Sequence, residues 1–178
     1  MLGVGAGATT NPIPGLVANY RAYLAGNVLA GTVDVTLPDI EFLTETIKGA
    51  GIAGEIELIL PMMKAMSANL KWRTITADPF SLVAQVAQGV TLRSSQVDYD
   101  PGAGGSAYNN LIIHLRASAK KIALGKFEVA SATDTGVDLN VYYLRIVQDD
   151  VELCEIDPLN MRCVISGVDL LATMANML

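Results

Sequence analysis

The stretch from Thr36 to Glu57 reads TLPDIEFLTETIKGAGIAGEIE and contains a glycine pattern that is typical of dinucleotide-binding sites. Gly49, Gly51 and Gly54 have the spacing G-x-G-x-x-G, which binds a pyrophosphate only between a buried strand and the start of a helix. The residues before these glycines are too polar for a central parallel strand. The residues after them alternate charged with β-branched side chains up to a proline, so no helix follows. The pattern therefore predicts no cofactor site.

Three blocks of sequence, in the same order, resemble the major tail tube protein family of contractile-tailed bacteriophages. The first block lies in the quoted stretch, the second contains the single tryptophan, and the third is close to the C-terminus. The blocks are Val35 to Asp39 with Thr44 to Thr46 and Gly49 to Glu55, then Asn69 to Thr76, then Glu155 to Asn160 with Gly167 to Ala172. They cover most of the chain from Asn19 onward. Residues 1–18, the 100–110 loop and the Met177-Leu178 ending depart from the family pattern.

This resemblance implies a structural protein that is not an enzyme and holds no cofactor or metal. Six copies would form a ring, and stacked rings would form a hollow tube inside a contractile sheath, through which DNA passes without specific binding. The implied partners are the sheath, tape measure, baseplate and tail terminator proteins. The implied place is the virion, after assembly in the cytoplasm of a bacterial host. The alternatives are the tube of a phage-tail-like bacteriocin or another contractile injection system, and a small-ligand-binding β-barrel or enzyme.

The segment from Thr44 to Pro61 is polar, glycine-rich and charged, yet much of it belongs to the first family block. We therefore expect a long loop or hairpin that reaches a neighbouring subunit or ring, because functional loops are often mounted on a rigid scaffold. The predicted contact residues are Thr44, Glu45, Thr46, Lys48, Gly49, Gly51, Gly54, Glu55 and Glu57.

The composition is unusually apolar for a small soluble monomer, with 51% hydrophobic and 17% charged residues among 178. A membrane span is not expected, because the uncharged run from Pro79 to Leu92 is shorter than the ~20 residues that a helix needs to cross a bilayer. Self-association is the remaining explanation. We expect residues 1–18 to form a flexible N-terminal arm and residues 19–178 to form a single tail tube domain.

The formal net charge of −6 and the clustering of acidic residues disfavour a phosphate-binding surface. The bore of the implied tube is accordingly expected to be net acidic or neutral. Residues opposite an apolar strand face, such as Asn69, Lys71 and Arg73 or His114 and Arg116, are of the kind that could line it. Cys154 and Cys163 have no histidine cluster nearby and are expected to be buried thiols.

Alternation of apolar and polar residues predicts a mainly β fold of the α+β class, an antiparallel β-sandwich or open barrel. The predicted strands are Tyr20–Leu24, Val28–Leu37, Met66–Trp72, Leu111–Ala117 and Val137–Tyr143. A turn signal at Ala25 to Asn27 lies between the first two of these strands and predicts a hairpin. After Val141 the opposite face becomes apolar at Leu144 and Ile146, which predicts that this last strand is covered on both sides. Met66, Leu70 and Trp72 are predicted core residues.

Two helices are predicted, one internal and one short helix at the C-terminus. The internal helix has Asp78 as N-cap, Phe80, Val83, Ala84 and Ala87 on its apolar face, and Gly89 as its stop signal. In the C-terminal helix, Asp169 is the predicted cap of an apolar stripe that consists of Leu170, Leu171, Met174, Met177 and Leu178. The segment from Asp100 to Ser106 is a loop by composition.

No set of residues predicts catalysis. His114 is the only histidine, so no second histidine is available for a multi-histidine metal site or as a further base beside a Ser-His-Asp arrangement. The acid pairs Glu55/Glu57 and Asp149/Asp150 lack a nucleophile beside them. Lys71-Trp72-Arg73 resembles a nucleic-acid stacking patch, but Trp72 falls on the apolar face of its strand and is expected in the core.

Overall fold

The computed structural model describes residues 13–24, 27–28, 33–49, 51, 53–84, 87–100 and 105–177, which form twelve strands and two α-helices. The strands are β1 Ile13–Leu24, β2 Asn27–Val28, β3 Val33–Thr36, β4 Phe42–Ile47, β5 Ile56–Met63, β6 Met66–Trp72, β7 Gln88–Asp100, β8 Gly105–Ala123, β9 Thr135–Gln148, β10 Val151–Asp157, β11 Arg162–Ile165 and β12 Val168–Asp169. The helices are α1 Ala77–Ala84 and α2 Ala172–Ala175. The prediction of a mainly β fold with an internal and a C-terminal helix is confirmed.

Ten strands form one antiparallel sheet, and β4 and β5 form a separate hairpin. The main path runs β12-β11-β10-β9-β8-β7-β1-β2. Strand β9 pairs with β8 along one edge, while its other edge pairs first with β6 and then with β10. The sheet therefore divides at β9 into a smaller part that contains β3 and β6 and a larger part that contains β10, β8, β7 and β1.

A β-bulge in β9 allows this division. Arg116 pairs with Tyr143 and Ala117 with Val141, so β9 has one extra residue at this point. Because a bulge changes the phase of alternation, Val141 and Leu144 both face the core and are 4% and 1% exposed. The expectation that this strand is covered on both sides is therefore wrong. The apolar switch at Leu144 reflects the bulge, and the opposite side of β9 carries polar groups such as Arg145.

The core lies between the two parts of the sheet and is built on β6. Every second side chain of β6, from Met66 to Trp72, is buried, and the residues between them are not. The same core cluster contains buried residues of six other strands, including Leu24 of β1, Val90 and Leu92 of β7, Ile113 and Leu115 of β8, Val137 and Leu139 of β9, Ile156 of β10 and Cys163 of β11. Met66, Leu70 and Trp72 are each 1–2% exposed. The strict period of two places all of them on one face.

The N-terminal strand extends further than the sequence suggests. Residues 13–18, which we placed in a flexible arm, belong to β1 and pair with β7, as in Ile13 with Tyr99 and Leu16 with Val97. Residues 1–12 lie outside the described part of the chain. The predicted hairpin joins β1 to β2, where Tyr23 pairs with Val28. The later part of the predicted second strand, Val28–Leu37, corresponds to β3, which pairs with β6.

Helix α1 buries a different face from the predicted one. Pro79 and Leu82 are its buried residues, whereas Phe80 and Val83 are exposed. The helix has apolar residues on several sides, so periodicity alone did not reveal which stripe faces the sheet. It ends at Ala84, and Gly89 already lies in β7, so Gly89 is not its stop signal.

Helix α2 is a single turn, and Asp169 acts two residues ahead of it. The Asp169 side chain accepts hydrogen bonds from the backbone N–H of Leu171 at 3.0 Å and of Cys163 at 3.4 Å. Leu171 occupies the N-cap position and is buried, and Met174 packs against the core. Of the predicted stripe, Leu170 and Met177 are exposed, and Leu178 lies outside the described residues.

Candidate assembly surfaces

The segment predicted to reach a neighbour is a two-stranded hairpin that stands apart from the main sheet. Strands β4 and β5 pair only with each other within the described residues, with Ile47 opposite Ile56 and Glu45 opposite Leu58. At its base, the Lys64 N–H donates to the Glu41 carbonyl at 2.8 Å, and the two side chains form a 2.9 Å salt bridge. Phe42 and Met63 pack against the core, so the base is anchored.

The two faces of the hairpin differ in chemistry. Residues directly opposite in an antiparallel pair share a face, so Ile47, Ile56, Leu58 and Glu45 lie together. We call these four residues the apolar hairpin face, and all of its apolar members are more than one third exposed. The other face has Thr46 opposite Glu57 and Thr44 opposite Ile59. The hairpin thus presents one mainly apolar and one mainly polar surface.

The glycine pattern forms the tip of this hairpin. Gly51 has φ of +95°, a conformation that side chains rarely adopt, whereas a Cβ at Gly49 or Gly54 would meet nothing within 4 Å. The Lys48 ammonium and the Glu55 carboxylate close the tip with a 3.3 Å salt bridge in solvent. Both flanking strands are antiparallel, so the strand-to-helix geometry of a dinucleotide site is missing.

The predicted contact residues are mainly the polar and glycine residues of this segment. All nine predicted contact residues lie in the hairpin or its tip. The prediction did not include Ile47, Ile56 and Leu58, which form the exposed apolar surface of the hairpin. The signal was present, because Glu55, Ile56, Glu57 and Leu58 alternate with period two, as expected for a strand with one apolar face.

A second exposed apolar feature is the segment between β8 and β9. Phe127 and Val129 are 88% and 98% exposed. The base of this segment is fixed, because the Lys126 N–H donates to the Thr133 carbonyl at 3.1 Å and the Thr133 N–H donates to the Arg73 carbonyl at 2.8 Å. Gly125 is required there, since a Cβ would lie 1.7 Å from the Thr133 carbonyl oxygen. The segment is a braced projection with two uncovered apolar side chains.

The outer face of the larger sheet part carries cations. Arg21 on β1 lies opposite Arg93 on β7, and His114 on β8 lies opposite Arg145 on β9. Arg116 is two residues beyond His114 and faces the same side. We call these five side chains the basic face. Asn69, Lys71 and Arg73, the other candidates for the bore, lie in or after β6 in the smaller part, where the Asn69 amide donates to Asp138 at 2.6 Å.

The titratable groups of these strands are tuned by burial and neighbouring charge. Burial lowers the pKa of His114, and the nearby Arg145 and Arg93 lower it further. The His114 Nδ1 is 3.1 Å from the Thr91 hydroxyl. Burial also raises the pKa of the Cys154 and Cys163 thiols, which are buried and free, as predicted. These shifts leave the imidazole neutral and the thiols protonated near pH 7.

The described residues contain no group of three or more His, Cys, Asp and Glu side chains that could hold a metal ion. None of the helices in the described ranges is long and apolar enough to cross a membrane. The acid pair Asp149/Asp150 forms the tight turn between β9 and β10, with both φ values positive. The Asp149 side chain accepts from the Asn110 N–H at 2.8 Å, which is a structural role.

A comparison with known protein families shows which family this chain belongs to. The family model described as Phage tail tube protein FII matches residues 14–178. The chain belongs to this family. It is therefore a structural protein of a phage tail tube and not an enzyme, and it forms part of the particle. No curated protein matches the sequence.

Solved structures support the fold of this tail tube protein. It is similar to a chain of the PVC sheath/tube terminator of an extracellular contractile injection system, with 12% identity, a TM-score of 0.54, and coverage of 80% of this chain and 99% of that one. It is also similar to a chain of the PVC sheath-tube complex, with 12% identity, a TM-score of 0.50, and coverage of 79% and 93%. At this identity the likeness concerns the fold alone.

Proposed function

We propose that this tail tube protein forms six-membered rings that stack into the inner tube of a contractile tail, and that the tube conducts DNA during ejection. The family supports the tube role. The contractile setting is supported by the similar fold of a chain from a complex of sheath and tube. The proposed partners are further copies of the chain, the sheath, the tape measure protein in the bore, and the baseplate and terminator proteins. Assembly takes place in the host cytoplasm.

The exposed apolar face of the hairpin carries this proposal. An isolated two-stranded hairpin is marginally stable in water, and three or more strands or a packing partner are normally needed. Here Ile47, Ile56 and Leu58 lie together on one face with no covering element among the described residues. A second copy of the chain, in the same ring or the next one, supplies the cover that the hairpin lacks.

Free strand edges provide a second route to self-association. Strand β1 pairs with β7 along its length, but on its other side only Tyr23 and Leu24 pair, with β2. Further along β1, Leu16 and Val17 have exposed apolar side chains. A strand edge that stays open promotes aggregation unless another strand covers it. Head-to-tail pairing of such edges around a ring leaves no edge open.

The rival function, a ligand-binding barrel, has little support in the cavities. An apolar cavity among the described residues is lined by Val17, Tyr20, Val35, Leu37 and Leu111 and has a volume of about 200 Å³. Ligand pockets usually measure roughly 300–1,000 Å³.

The neighbouring genes distinguish a phage tail tube from the tube of a headless tail-like particle, since only a phage has capsid genes beside the sheath gene.

Two single substitutions on the same strand test the proposal. Ile56→Ser removes an isoleucine side chain from the apolar hairpin face. Ile59→Ser is the control, because it removes an isoleucine side chain from the opposite face of the same strand. We expect Ile56→Ser to abolish the hollow rods that the unaltered protein shows in negative-stain microscopy, and Ile59→Ser to retain them. Gel filtration and circular dichroism should show both variants folded. Absence of rings or rods from the unaltered protein, or normal rods from Ile56→Ser, would refute the proposal.

A further inference from the structure

Three arginines of the basic face have no carboxylate partner. Arg145 is neutralised by Glu152 at 2.7 Å, but Arg21, Arg93 and Arg116 form no salt bridge with any described residue. Arg21 and Arg93 are also directly opposite each other, an arrangement that destabilises a strand pair through repulsion. The Arg93 guanidinium lies over the Tyr23 ring at 5.6 Å, which leaves its N–H groups available. An anion bridging Arg21 and Arg93 would remove the repulsion.

Neutral hydrogen-bond donors surround these arginines. A shallow depression of about 240 Å³ is lined by Arg21 and Arg93 together with Asn19, Ser95 and Asn110. A second depression, of about 280 Å³, lies around Thr91, His114 and Arg116. Side chains of Arg, Ser, Thr and Asn are the usual donors to phosphate oxygens. At strand spacings of ~4.8 Å and rises of ~3.4 Å per residue, the basic face extends over roughly 14 Å in each direction.

The basic face lacks the apolar centre that a protein partner would need. Protein interfaces have an apolar core within a polar rim, whereas interfaces with DNA are more polar and strongly positive. Tyr23, Ile112 and Tyr143, which lie between the cations, are all partly covered. Large exposed apolar side chains lie on the hairpin, at the edge of β1 and near Phe127, and on this side of the sheet Tyr99 and Tyr108 lie beyond Asn110, toward the far ends of β7 and β8. The chain thus separates surfaces suited to protein contacts from a surface suited to a polyanion.

We propose that the basic face contacts the phosphate backbone of double-stranded DNA through Arg21, Arg93 and Arg116, and that this face lines the bore. This inference rests on the proposed function, because it names the surface of the tube that the DNA touches. Contacts to phosphates are independent of sequence and allow a protein to slide along DNA. They are therefore compatible with passage.

The proposal replaces the expectation of an acidic or neutral bore. That expectation was based on the total charge of −6, which treats the surface as uniform. The fold separates the charges, because two of the three acids of β10 are paired with arginines, Glu152 with Arg145 and Glu155 with Arg162 at 2.5 Å. An acidic protein can therefore present a locally positive sheet face. The strength of the contact between the basic face and DNA then depends on the salt concentration and on the small number of arginines without a salt bridge.

The experiment compares two triple variants of the full-length chain in binding a fluorescent 20-base-pair DNA duplex. The first is Arg21→Gln with Arg93→Gln and Arg116→Gln. The matched control is Lys71→Gln with Arg73→Gln and Lys121→Gln, which removes three cations that lie outside the basic face, in or just after β6 and near the end of β8. Anisotropy is measured at several salt concentrations, and negative-stain microscopy of the same samples reports rods. Each lost phosphate contact lowers the slope of log affinity against log salt by about 0.9.

We expect weak, salt-dependent binding by the unaltered chain, a slope smaller by about 2–3 in the first variant, and an unchanged slope in the control. Rods should form in all three. The inference is overturned if the unaltered chain does not bind DNA at low salt, if the control loses binding as much as the first variant does, or if polyglutamate binds more tightly than DNA. Failure to form rods counts against the proposed function alone, because the free subunit still reports DNA binding.

Discussion

At the scale of single residues, Trp72 shows how far alternation determines burial. It is the last residue of β6, it pairs with Val33 on one side and Thr135 on the other, and it is 1% exposed. Its neighbours Lys71 and Arg73 are exposed. The three residues that resemble a nucleic-acid stacking patch therefore have their aromatic side chain in the core and their two cations in solvent. The indole N–H has no acceptor among the described residues. Trp72 is therefore held by packing rather than by a hydrogen bond.

We predict that Trp72→Ala lowers the free energy of unfolding by about 3–5 kcal/mol, because it leaves a large cavity in the core. Trp72→Phe should cost less, since no hydrogen bond is lost with the indole N–H. Urea denaturation followed by circular dichroism measures both, and Lys71→Ala serves as the control on the exposed face of the same strand. A Trp72→Ala cost below about 1 kcal/mol, or an emission spectrum typical of a water-exposed indole, would contradict this placement.

At the scale of elements, the sequence predicts strands and helices that have a clear hydrophobic period. The prediction fails where a β-bulge shifts the period or where a helix has apolar residues on several sides. β6 and the middle of β8 have regular alternation and were located correctly. The bulge beside Arg116 could not be read from the sequence, because an extra residue shifts the phase without changing composition. The buried face of α1 was missed since its residues are apolar on several sides. The hairpin was located through glycine and charge, yet its apolar face was overlooked.

The hairpin tip provides the prediction at this scale. Deleting Gly49 to Gly54 should leave a folded, soluble subunit that does not form tubes, because none of the described residues of the tip belongs to the core and the tip sets the length of the hairpin. Gly54→Ala is the control, since a Cβ there meets open space and the residue has no positive φ. Sedimentation separates tubes from subunits, and circular dichroism reports the fold. Tubes of normal length from the deletion variant would exclude a role of the tip in assembly.

At the scale of the whole molecule, the chain separates two kinds of surface. Exposed apolar residues occur on the hairpin, at the β1 edge and around Phe127, and three arginines without a salt bridge to a described residue lie on the basic face. The apolar excess of the sequence predicted self-association but not its location, because location depends on which strand faces remain uncovered. The basic face was invisible for the same reason, since its arginines come from strands far apart in sequence.

This separation predicts that tube assembly and DNA contact respond oppositely to salt. Assembly buries apolar surface, so tubes should persist in about 1 M NaCl, where the Debye length is about 3 Å and exposed charges are screened. Sulfate should strengthen assembly and cooling should weaken it, because apolar burial becomes less favourable at low temperature. DNA bound to the same tubes should be released within that salt range. Pelleting of tubes with fluorescent DNA across a salt series measures both responses. Tubes that dissolve at high salt while DNA remains bound to the subunits would show that charge holds the copies together, which is the opposite assignment of the two surfaces.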